Sequence, residues 1–97
     1  SIARRDALVR LQANPDFREL IEKGFMEQHA VRQVMLKSHP GYQDELHQKI
    51  YDNQITAVGS FKQYLVSIFT EGMNCEQSLT ADEATREELL QEDLANE

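Results

Sequence analysis

Proline and glycine are scarce in this chain: Pro15 and Pro40, and Gly24, Gly41, Gly59 and Gly72, among 97 residues. With so few breakers, and with much Glu, Gln, Leu, Ala and Arg, an all-α chain is predicted. The single cysteine, Cys75, excludes an intramolecular disulfide, and a reducing compartment is the simpler expectation. No run of about 18 apolar residues is present, and no signal-peptide pattern, so a membrane is not among the expected partners. No basic run is longer than Arg4-Arg5, so direct binding to a nucleic acid is not expected either.

The chemical signatures are missing as well. His29, His39 and His47 have none of the compact spacings a zinc site uses; only His39, Asp44 and His47 could meet, around a turn. Cys75 has no basic neighbour to lower its pKa, and Glu71 and Glu76 oppose ionisation, so it reads as a small core side chain. Carboxylate pairs such as Asp82/Glu83 and Glu87/Glu88 lie on a polar stretch, where nothing separates the two pKa values of a general acid–base pair. No glycine-rich phosphate loop occurs. The expectation is a non-enzymatic protein with no catalytic residues, no cofactor and no metal.

What is present is one long amphipathic stretch, from Asp44 to Leu79. Leu46, Ile50, Ala57, Val58, Phe61, Leu65, Ile68, Phe69, Gly72, Cys75 and Leu79 recur there in steps of three and four, one stripe of a helix about 50 Å long. Gly59 lies among small residues in its middle, where glycine costs about 1 kcal/mol against alanine. Close approach of another helix would offset that cost, and Gly59 is where it is expected. Gly72 is read as a possible bend.

Upstream, three short helices are predicted. The first spans about Ile2 to Gln12, with Ala7, Leu8 and Leu11 on one side and Arg4, Arg5 and Arg10 around the rest. Asn14-Pro15 starts the second: Asn14 caps, and Pro15 suits the first turn because its missing N–H had no partner. Gly24 reads as the glycine that ends or bends it. The third runs from about Phe25 to Lys37 and stops at His39-Pro40-Gly41. The long helix follows from near Tyr42 to Asp44. Residues 1–79 therefore form a helical domain, and 80–97 an acidic helical tail. In the tail Thr80 and Glu83 match a capping box that starts a separate helix, unless the long helix runs through it.

Charge is unevenly placed. From Ser1 to Cys75 nine basic residues face nine acidic ones, whereas the last 22 residues hold eight acids and only Arg86, the whole net charge of −7. Asp82, Glu83, Glu87, Glu88, Glu92 and Asp93 make this segment either a solubilising helix or an electrostatic arm for a basic surface, including mimicry of DNA. Met26, Met35 and Met73 with Phe25, Phe61 and Phe69 suit either an ordinary core or an adaptable groove. The long stripe exceeds what the short helices can cover. An interaction surface is therefore expected over Ala57, Val58, Phe61, Leu65, Ile68 and Phe69, with a second copy or a larger protein as partner. A small-ligand bundle is a weaker alternative, with no residues that identify a ligand.

The segments ANPDFRELIEKGFMEQHAVRQVMLKSHPGYQ, ITAVGSFKQYLVSI and TREELLQED together resemble small all-helical proteins of tailed bacteriophages. The resemblance covers nearly the whole chain. Its matching positions are Pro15, Phe17, Gly24, Gly59, Tyr64 and Leu65, with no catalytic residue among them. It implies a phage structural or assembly protein, head-associated or scaffold-like, located in the virion or the host cytoplasm during infection, with a larger phage structural protein as a possible partner. The alternative is an acidic phage inhibitor that binds a host nucleic-acid-processing or defence protein through the tail.

Overall fold

The computed structural model describes residues 1–96, and they are helical almost throughout, with no strand among them. The N-terminal helix is Ile2–Ala13, capped by Ser1, whose Oγ accepts from the Arg4 N–H at 3.2 Å. Asn14 ends it in an extended conformation (φ −73°, ψ 123°) and starts the next helix, its Oδ1 accepting from the Asp16 N–H at 2.8 Å. Pro15 takes the first position, as its missing donor predicts.

The middle rod covers 15–37 without a break, through Pro15–Phe17, a stretch of wide i→i+5 turns at Arg18–His29, and Ala30–Lys37. Of the end or bend expected at Gly24, the end is therefore absent, and no glycine has a positive φ. Gly24 serves the wide turn instead. A Cβ there would meet the Glu19 carbonyl oxygen, five residues back, at 3.2 Å. Two helical rods, not three, precede the long helix.

The reversal is built from side chains that satisfy the carbonyls left free at a helix end. Lys37 O accepts from both Gln43 Nε2 and Gln48 Nε2, each at 2.9 Å. The same two amides also reach His39 O and Tyr42 O. His39 is extended, as the residue before a proline must be, and Pro40–Tyr42 makes one 3₁₀ turn. Asp44 then caps the long helix, Glu45–Ala95, accepting from the His47 N–H at 3.2 Å. That helix has 51 residues and continues through Thr80, whose hydroxyl donates to Glu76 O instead of capping a new start.

Both short rods run antiparallel to the long helix. Arg5 pairs with Glu76, Leu8 packs with Leu65 and Ile68, the Phe25 ring meets Phe61, and Lys37 pairs with Asp52. Gly72, not Gly59, is the point of closest approach, since a Cβ there would run into the Arg5 side chain. Above Gly59 there is open space. The core is thin: Leu8, Leu65 and Ile68, with Phe17, Met26 and Phe61 against them. The molecule measures 82 × 30 × 14 Å, and 14 Å is little more than one helix diameter. Its radius of gyration, 22.6 Å, compares with about 12–13 Å for a compact domain of this length.

Candidate interaction surface

A layer one helix thick has two faces, and a cleft opens on each. The larger, about 560 Å³, lies between the long helix at Val58, Gly59, Lys62, Val66 and Phe69, the middle rod at Glu22, Met26 and Glu27, and Gln12. The smaller, about 350 Å³, includes Arg4, Leu11, Phe17, Phe61 and Tyr64. Leu8 and Leu65 line both clefts. These two leucines are thus the partition between the faces, and each face is apolar at its floor and polar at its rim.

The six residues expected to form an interface divide into two groups. Val58, Leu65 and Ile68 are buried and Phe61 is half-buried, because the short rods cover them. Ala57 and Phe69 remain exposed. The stripe is also open at both ends, at Leu46 and Leu79. Cys75, expected in the core, is exposed, although Arg5 of the N-terminal helix meets Gly72, Met73 and Glu76 on either side of it. Of the proposed methionine–phenylalanine groove, Met26 and Phe61 pack on the core, whereas Met35, Phe69 and Met73 are open.

A second line was not singled out from the sequence. Ile55, Gly59, Lys62, Val66, Phe69 and Met73 follow one another in steps of four and three, and from Gly59 onward each sits one residue after a member of the buried seam. Val66 is 44% exposed, Phe69 45% and Met73 36%. The signal was present as a repeat shifted by one residue, masked by the stronger stripe beside it.

The turn holds two of the three histidines, His39 and His47, whereas His29 lies on the middle rod against Phe25 and Gln54. The Tyr42 ring lies 4.6 Å from His39, 4.8 Å from His47 and 5.9 Å from Tyr51. Asp44 Oδ1 sits 2.6 Å from His47 Nδ1, and this hydrogen bond holds the Asp44 carboxyl below its ordinary value. Among the described residues, no three of His, Cys, Asp and Glu are grouped to hold a metal ion. At the other end, the Glu76 and Asp6 carboxylates raise the Arg5 guanidinium pKa further.

The acidic tail continues the long helix away from the short rods. Asp82, Glu83, Glu87, Glu88, Glu92 and Asp93 are all exposed. Among the described residues, Glu76 is the one acid of the last 22 that forms an ion pair. No helix in the described residues is long and apolar enough to cross a membrane. Set against known protein families, curated proteins and solved structures, the chain matches none.

Proposed function

We propose that this chain is a non-enzymatic helical interaction module that works in the assembly of a tailed-phage particle, against a second copy or a larger structural protein. The observation that carries the interaction is the single layer. Domains stack two or more layers of secondary structure around a core, and here both faces of one layer are open. The phage setting rests on the resemblance in sequence. The reading is tested by mass spectrometry of purified proheads and virions from the phage that encodes the chain. It expects the chain in one or both, and absence from both rejects the assembly role.

The tail favours a second reading, an acidic inhibitor of a host nucleic-acid-processing or defence protein. Six carboxylates standing in water on a projecting helix suit a basic surface. In that case a chain ending at Cys75 loses binding, and binding by the full chain weakens steeply with salt. Salt-insensitive binding by the shortened chain rejects it.

A further inference from the structure

We infer that the occupant of the open line from Gly59 to Met73 is a second copy of this chain, its long helix packed antiparallel on the first. This deepens the interaction reading above and rests on it.

The first argument is area. The molecule exposes 7498 Å², whereas a compact protein of 11.2 kDa exposes about 5,700 Å². The difference is about twice the roughly 800 Å² that each partner contributes to a standard interface. Part of that excess belongs to the exposed tail, and the long helix exposes Val66, Phe69 and Met73 beside the core as well.

The second argument is register. The line is symmetric about residue 64: Lys62 and Val66 lie two residues either side, Gly59 and Phe69 five, Ile55 and Met73 nine. A two-fold axis there sets the Phe69 ring of each copy over Gly59 of the other, the glycine above which there is open space. Small against large is the pairing that lets helices interdigitate.

Charge supplies the third argument. An isologous interface is self-complementary, so its charges can pair only where both signs share one patch. The cleft has Lys62 with Glu22 and Glu27, and none of the three forms an ion pair among the described residues. The antiparallel arrangement also sends the two acidic tails to opposite ends. A parallel pair would lay them side by side, with six exposed carboxylates on each.

The test uses sedimentation of the full chain from micromolar to submillimolar concentration, and a nitroxide on the native Cys75, the only cysteine and an exposed one. The expected result is a dimer with a Cys75–Cys75 separation of about 33 Å along the axis, eleven residues either side of the midpoint at about 1.5 Å each. Gly59→Arg keeps or raises helicity by circular dichroism, since the position is open in the single chain, and weakens the dimer about tenfold or more. A monomer throughout the range, a separation below about 20 Å where 1.5 Å per residue demands more, or a Gly59→Arg dimer of unchanged strength overturns the inference. A chain found in particles but monomeric in solution would sink this inference and leave the assembly reading standing. A dimer absent from particles would do the reverse.

Discussion

Gly59 and Gly72 stand in one helix under opposite demands. Nothing approaches a Cβ at Gly59, so alanine there removes backbone freedom from the unfolded chain and strains nothing. We expect Gly59→Ala to stabilise the single chain by about 0.5–1 kcal/mol in urea unfolding at low protein concentration. At Gly72 a Cβ would lie 2.9 Å from Arg5 Cγ and closer still to its Cβ, at the base of a side chain tied to Asp6 and Glu76. Gly72→Ala should therefore destabilise by about 1–3 kcal/mol despite alanine's better helix propensity. Equal effects at the two positions would contradict the packing. Asp44 carries a pH dependence of known sign. Its carboxyl is held below the ordinary 3.8 by the hydrogen bond to His47, so the unfolded chain takes up the proton first as pH falls. The contribution is fully present above 3.8 and is lost below it, as pH falls through the lower folded value. Protection of the His47 amide, measured against its intrinsic rate at each pH, should fall in that acid window and not above it. Asp44→Asn keeps an acceptor for the cap without the titration, so its exchange should lack the step.

At the scale of elements, the starts were legible because each has its own chemistry. Asn14-Pro15 and His39-Pro40-Gly41 act through bonds within a few residues, and local bonds can be read from local sequence; the Asp44 cap falls within the start expected near Tyr42 to Asp44. The 3–4 stripe of the long helix was legible for the same reason. What was not legible depends on facing partners. A glycine inside a wide turn, one under an arginine and one in open water look alike as letters, so Gly24 was read as an end or bend, Gly72 as a bend, and Gly59 as the close approach that Gly72 makes. The capping box at Thr80 is likewise a local pattern, and the continuing helix overrides it. The tail is the element whose stability owes least to tertiary packing, because Leu79, Leu89, Leu90 and Leu94 are all exposed. Helices without a packed face are marginal in water, so amides beyond about residue 80 should exchange within the first time points. A chain ending at Ser78, which keeps the Arg5–Glu76 pair, should melt within about 2 °C of the full chain, well inside the 4–8 °C that 1 kcal/mol moves a small domain. A larger fall would show that the tail is docked.

Over the whole molecule, stability has to be found in a layer whose partition is two leucines deep. No large side chain among the described residues is fully buried, and the most enclosed apolar residue is Leu8, at 5% exposure. Burial at about 25 cal/mol per Å² acts on little area here, while the ordering of the backbone costs as much per residue as in any domain. A single layer of this kind should therefore unfold with a shallow urea dependence, near or below the low end of the 1–3 kcal/mol/M seen for small proteins. Pairing two layers changes both terms at once, because the area released on unfolding grows and the folded state gains by mass action. We expect the urea midpoint to rise with protein concentration from micromolar to submillimolar, and the slope to steepen with it. Circular dichroism at several concentrations measures both. A midpoint independent of concentration, with the slope of an ordinary compact domain, would mean that the two clefts close on themselves in solution and that neither face waits for a partner.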